Sequence, residues 1–184
     1  MNLRAVVCTA LLAVAAASGA ADARARNVTD PDAPRSLPEQ GPVSVRWTDP
    51  SRFSDIRHSR NRAAAVRGDW VRQIAEYLRE RAARRLPPGQ RLEVEIRDIK
   101  RAGEYEPWHG VALQDTRFIR EIHPPRIDLY FRRLDADGRV AAEGERELRD
   151  SGFMMGADTV GAGDALRFEK DLIDRWLGRE LPAP

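Results

Sequence analysis

Cysteine is all but missing from this chain: among 184 residues there is one, Cys8. That excludes a disulfide-stapled miniprotein and a zinc site built on cysteine pairs. Histidine is scarce too. His58, His109 and His123 share neither H-x-x-x-H nor H-E-x-x-H spacing, so no helical pair is available for a catalytic zinc. No G-x-S-x-G occurs, and with it goes the strained serine turn of an α/β-hydrolase. Nor does charge of one sign dominate: 31 basic residues against 29 acidic ones leave a formal net charge of +2. Such balance excludes a strongly charged disordered tail and lacks the basic surplus of nucleic-acid binders. Lysine is rare, 2 residues against 29 arginines. What remains is 42% hydrophobic and 33% charged at a mean hydropathy of -0.56, the profile of one modest soluble domain.

One apolar run is present, at the start. Met1 to Arg4 carries one positive charge, Ala5 to Ala17 is almost wholly small and apolar, and Ser18-Gly19-Ala20-Ala21-Asp22-Ala23 comes after it. Roughly 20 apolar residues are needed to span a bilayer, and this run is shorter. Its flanks and its A-x-A-like end predict a secretory signal peptide over residues 1–23, cut after Ala23, rather than a short anchor helix. Periplasmic or secreted localisation is the expectation. Cys8 lies within the apolar run instead of closing it, so lipid modification is not expected and the mature chain would hold no cysteine. No second stretch approaches a membrane span.

Residues 24–42 contain four prolines and no hydrophobic period, which reads as a proline-rich linker. A single domain over 43–181 should come next. Val43, Val45 and Trp47 recur at period two, as do Leu92, Val94 and Ile96, and both segments read as strands. Between them Val66, Trp70, Ile74, Leu78 and Ala82 recur at helical spacing. The helix should run over about 62–86, with Gly68 weakening its first turn so that the firm part begins near Asp69, and with Pro87-Pro88-Gly89 ending it. Residues 51–61 and 101–115 read as loops, and 117–122 as a further short strand. Ile127, Leu129 and Phe131 alternate with polar residues, and Asp137-Gly138 supplies the tip of a hairpin to a partner strand near Val140. Phe168, Leu172, Ile173 and Trp176 mark a last helix over about 164–177. The predicted class is α+β with two layers: a mixed four- to five-stranded sheet with two helices packed on one face.

The chemistry on offer is limited. Asp49, Asp55 and Asp98 would supply a carboxylate pair to an envelope-polymer hydrolase if the first two strands lie side by side; charged strand ends are also common for solubility alone. Residues 24–101 carry 18 basic and 11 acidic groups, and 102–184 carry 12 and 17. Either the halves neutralise each other in the fold, or the loop with Arg57, Arg60 and Arg62 holds an anionic ligand through its guanidinium forks. Trp108, beside His109 in a glycine- and proline-containing loop, is either a binding anchor or a lid on the sheet edge. Asp49, Phe53, Asp55, Arg57, Arg60, Arg62, Trp108 and His109 are thus the candidate binding residues. No catalytic set, metal or cofactor is predicted, and an envelope protein or an anionic ligand is the expected partner.

Three phrases carry a resemblance: Val43-Ser44-Val45-Arg46-Trp47-Thr48-Asp49-Pro50 with Phe53-Ser54-Asp55-Ile56-Arg57; Arg85-Leu86-Pro87-Pro88-Gly89-Gln90; and Pro124-Pro125-Arg126-Ile127-Asp128-Leu129 ahead of Asp-Ala-Asp-Gly. Together with Phe168-Glu169-Lys170-Asp171-Leu172 and Trp176-Leu177, they resemble the family known as domain of unknown function 3016, a group of bacterial exported proteins. The sequence departs from it at Lys100-Arg101, where the family carries an acidic-hydrophobic pair before Ala-Gly. The resemblance implies export and a shape, and it brings no catalytic residues. The function expected is that of a non-catalytic binding or accessory module of the cell envelope, with the hydrolase and the arginine-loop anion binder as alternatives.

Overall fold

Alternation of apolar and charged side chains builds the central sheet. In β1 (Val43–Trp47) every second residue is buried, and in β2 (Arg91–Lys100) Leu92, Val94 and Ile96 do the same. These two strands run parallel, with Val43 opposite Leu92 and Trp47 opposite Ile96. β5 (Arg126–Leu134) and β6 (Val140–Arg149) add antiparallel partners, so the sheet order is β1-β2-β5-β6. The computed structural model describes residues 27–155 and 163–181. The expected signal peptide lies outside them. Among the described residues no helix is long and apolar enough to cross a membrane.

Parallel neighbours require a crossover, and α3 (Trp70–Arg85) provides it, burying Trp70, Ile74, Leu78 and Ala82. α4 (Arg167–Glu180) lies beside it with Leu172, Ile173, Trp176 and Leu177 inward. Phe131 of the sheet meets the Trp176 ring edge-on at 5.8 Å. Tyr77 and Arg81 of α3 both bond Asp174 of α4, at 2.8 and 2.7 Å, and burial with that bond pushes the Tyr77 hydroxyl up to about 12. The α+β class, the mixed sheet and the hairpin are as the sequence predicts, and the charge halves do pair across the fold, as in Arg81–Asp174, Arg97–Glu145 and Arg67–Asp115.

Two expectations need correction, the linker and the loop 51–61, and two are made definite, the helix start and the strand count. The supposed linker is packed from Asn27 onward: Val28 and Leu37 are 8% and 7% exposed, and Ser36 bridges Arg46 at the edge of β1. Its prolines fix an extended path along a sheet edge that would otherwise present unpaired backbone groups. The first helix is interrupted. A short α2 (Arg62–Ala65) ends before Gly68, which sits at φ +83, and α3 begins only at Trp70. Residues 51–61 are not a plain surface loop, since α1 (Ser54–Arg57) drives Phe53 and Ile56 to 0% exposure. Finally, the sheet has four strands, within the four to five expected, and the further short strand does not join it. Short β3 (Glu104–Tyr105) and β4 (Arg117–Phe118) pair only with each other.

A bulge in β2 sets the direction of Asp98 and Ile99. Ile96 faces Leu129 and Asp98 faces Asp128, which leaves Arg97 unmatched. The extra residue flips the alternation, so that Ile99 joins the core at 0% exposure. Asp98 then lies beside α1 instead of in the hydrophobic layer.

Candidate functional site

The loops at one end of the sheet, where β1, β2 and β6 finish and β5 begins, hold every candidate residue. They divide into an inner charge cluster and an outer platform.

The inner cluster is organised by Asp55. Its neighbour Phe53 anchors α1 in the core, and Asp55 itself is fully buried. Arg101 donates to it from its backbone N–H at 3.0 Å and from Nε at 2.9 Å, and Arg117 Nη2 donates to both oxygens at 3.0 and 2.9 Å. Lys100 Nζ stands 3.8 Å away. Burial alone would raise this carboxyl, but Arg101, Arg117 and Lys100 outweigh it and hold it below the usual range. The guanidiniums are braced in turn, Arg101 over the Trp70 ring at 4.2 Å and Arg117 over Tyr105 at 4.7 Å. Arg117 also donates to the Gly103 carbonyl at 2.9 Å. Next to this group, Ser54 donates its backbone N–H and its hydroxyl to Asp98, at 2.5 and 2.6 Å, while Arg126 Nη2 bonds both partners. Glu169 closes the cluster from α4. Its Oε1 accepts the Ala102 N–H at 2.7 Å, Oε2 is buried without a hydrogen bond, and burial raises its pKa.

These bonds settle the carboxylates. Asp49 caps the turn Pro50–Arg52 by accepting the Ser51 N–H at 3.0 Å, with Arg35 3.4 Å away. Asp55 and Asp98 are committed to arginines, so none of the three proposed hydrolase carboxylates is free of a structural partner. Phe53 and Asp55 are likewise inaccessible to a ligand.

The outer platform is different. Residues 103–123 form an excursion closed at its neck by β3–β4 and by the Gly103 N–H donating to the His123 carbonyl at 2.9 Å. Gly103 makes the closure possible: it sits at φ +74, and a Cβ there would collide with the Phe118 carbonyl oxygen. Beyond the neck, Glu106 accepts both Arg120 Nε at 2.6 Å and Nη2 at 2.7 Å, and it meets His109 Nε2 at 2.8 Å. The Arg120 fork is the main reason its carboxyl falls to about 2. His109 rests on Phe118 with ring centroids 4.8 Å apart, and Trp108 lies 6.0 Å from His109. Trp108 remains 60% exposed.

The arginine segment joins this loop directly. Arg60 covers the Trp108 ring at 4.7 Å, and Asn61 donates to the Gln114 carbonyl at 3.0 Å and to Asp115 at 2.9 Å. Arg67 holds Asp115 from the same side at 2.7 Å. Arg57, Arg60 and Arg62 are exposed and form no ion pair with a described carboxylate. Of the eight candidates, then, Arg57, Arg60, Arg62, Trp108 and His109 lie on the surface at this end, whereas Asp49, Phe53 and Asp55 build the support beneath. Sequence reasoning missed Val111, 82% exposed, and Leu113, 42% exposed. The available signal was their position as apolar residues in a stretch without any period.

Among the described residues no three acidic, histidine or cysteine side chains converge to hold a metal ion. A cleft of ≈ 410 Å³ over the outer face of the sheet is lined by Arg46, Glu95, Tyr130 and Arg132. Its two arginines pair with acids of the same lining, Arg46 with Glu95 at 2.6 Å and Arg132 with Glu93 at 3.8 Å.

Fold and end-loop architecture together define a small α+β protein with a mixed four-stranded sheet and a loop platform at one end. The chain belongs to the family described as protein of unknown function, DUF3016, whose model matches residues 41–179. No curated protein and no solved structure matches it.

Proposed function

We propose that the protein is an exported binding or accessory module of the cell envelope that engages its partner through the loop end built from residues 57–62 and 106–114. One observation carries the reading: Trp108 is held exposed under Arg60 at 4.7 Å by a loop cross-tied through Asn61. An aromatic held in place next to unpaired guanidiniums loses little conformational entropy on binding, the property of a contact anchor. Export rests on the charged, apolar and A-x-A-like order of residues 1–23. The hydrolase reading has lost its carboxylates to arginines and helix caps.

The test is site-specific photocrosslinking in cells, with the probe at Val111 and, as control, at Ala136 in the opposite hairpin tip. A discrete adduct from position 111 that Trp108→Ala abolishes is expected, and none from 136. Equal labelling from the two positions, or cell fractions holding the protein in the cytoplasm, would overturn the reading.

A further inference from the structure

Exposed apolar side chains are not scattered over this molecule. Seven large hydrophobic residues are exposed among those described, and six of them, Trp108, Val111, Leu113, Ile122, Met154 and Met155, lie in loops at the same end of the sheet. Of the seven, Val140 alone lies at the other. Exposed apolar clusters of this kind mark contact surfaces.

The charges at that end are equally one-sided. Its acids are mostly consumed: Asp55 by Arg101 and Arg117, Glu106 by Arg120, Asp115 by Arg67, Asp150 by Arg175 at 2.7 Å. Among the described residues Glu121 is exposed without a partner, while Arg52, Arg57, Arg60 and Arg62 form no ion pair. The net result is a positive surplus standing beside apolar tips.

Resting on the binding reading above, we propose that this end docks onto an anionic lipid surface, with Trp108, Val111 and Leu113 entering the headgroup layer and the arginines pairing with phosphates. Tryptophan favours that interface because one edge is apolar and the other polar. Guanidinium forks match phosphate oxygens. A protein groove would favour apolar anchors within a rim of mixed charge; here the free charges are almost all positive, which complements a phosphate-rich plane. The inner cluster keeps the loops from collapsing onto the domain, since Arg101 and Arg117 tie the root of the excursion to α1.

Vesicle co-sedimentation tests this with the full chain and its variants, using phosphatidylcholine vesicles with and without phosphatidylglycerol. The apolar segment 5–17 is common to every variant, so its contribution cancels in each comparison. Binding should strengthen when phosphatidylglycerol is included, weaken with salt, and fall roughly fivefold for each of Arg57, Arg60 and Arg62 changed to alanine. Trp108 supplies an independent readout, because Trp47, Trp70 and Trp176 are at most 9% exposed. Lipids brominated near the headgroup should quench the wild type and leave Trp108→Phe unquenched. Equal binding by the triple arginine variant, or no quenching of Trp108, would overturn the proposal. If the vesicle result is negative while Val111 still crosslinks to one protein, the lipid assignment falls and the binding reading stands; if both fail, both fall.

Discussion

The inner cluster around Asp55 and the outer platform around Trp108 are made from the same short segments, residues 53–67 and 100–120, yet their charges are handled in opposite ways. Within the cluster each guanidinium has a carboxylate, a carbonyl or a ring, and Asp55 is fully buried with three cations in reach. On the platform Arg57 and Arg62 are exposed and, among the described residues, unpaired, and Arg60 has only the Trp108 ring. The first arrangement fixes structure, since buried charges are tolerable only when compensated. The second leaves interaction capacity unused within the fold. Arginine abundance in this chain therefore has two meanings that composition alone merges.

The comparison can be broken most forcefully from inside. Asp55→Ala leaves Arg101, Arg117 and Lys100 gathered without a counter-charge and should destabilise the domain by about 3–5 kcal/mol, read as a shift in the urea midpoint at unchanged slope. Gly103→Ala should cost about 2–4 kcal/mol, combining a left-handed backbone with the clash on Phe118. Gly110→Ala, at φ +95 with open space around its Cβ position, should cost less by that clash.

A pH series separates two members of the cluster. Asp55 has a folded pKa below its unfolded value of 3.8, so it contributes stability that is present above that pH and disappears as pH falls through the folded value. Glu169 is opposite: with its folded pKa raised above 4.5 by burial, it opposes folding increasingly as pH climbs from 4.5 through the raised value. Glu169→Gln should accordingly gain stability over the wild type as pH rises, and show no such gain below pH 4.5. Unfolding free energies across a range from about pH 2 to about pH 8 check both slopes, that of Asp55 below 3.8 and that of Glu169 above 4.5; a pH-independent difference for Glu169→Gln would mean that the carboxyl is solvated. The smallest stability effects belong to the platform. Arg60→Ala and Trp108→Ala should each change unfolding by no more than about 1 kcal/mol, the size of an exposed cation–π contact, as thermal melts would register.

Much of the frame is legible from residues. Period-two runs locate β1, β2 and the hairpin, and period 3.6 locates both long helices. Local chemistry also announces the break at Gly68. The features that periodicity does not carry are non-local. The alternation of Leu92, Val94 and Ile96 passes to Ile99, and that parity change is the written sign of the bulge that places Asp98 beside Ser54. Nothing in the polar segment 51–61 says that Asp55 is buried, because its partners Arg101 and Arg117 arrive from distant positions. Likewise β3 and β4, two residues each, are too short to carry a period. The site is half legible: the arginine segment and Trp108 stand out in the sequence, but their contact through Asn61, Gln114 and Asp115 depends on how the excursion folds back.

The most direct measurement is the binding isotherm, on vesicles containing phosphatidylglycerol, of the combined Arg57→Ala, Arg60→Ala, Trp108→Ala variant beside the wild type, both at the same folded fraction. The division into a supporting interior and a contacting exterior predicts an affinity at least about 25-fold weaker for the variant, about fivefold for each arginine removed. Superimposable isotherms would contradict it.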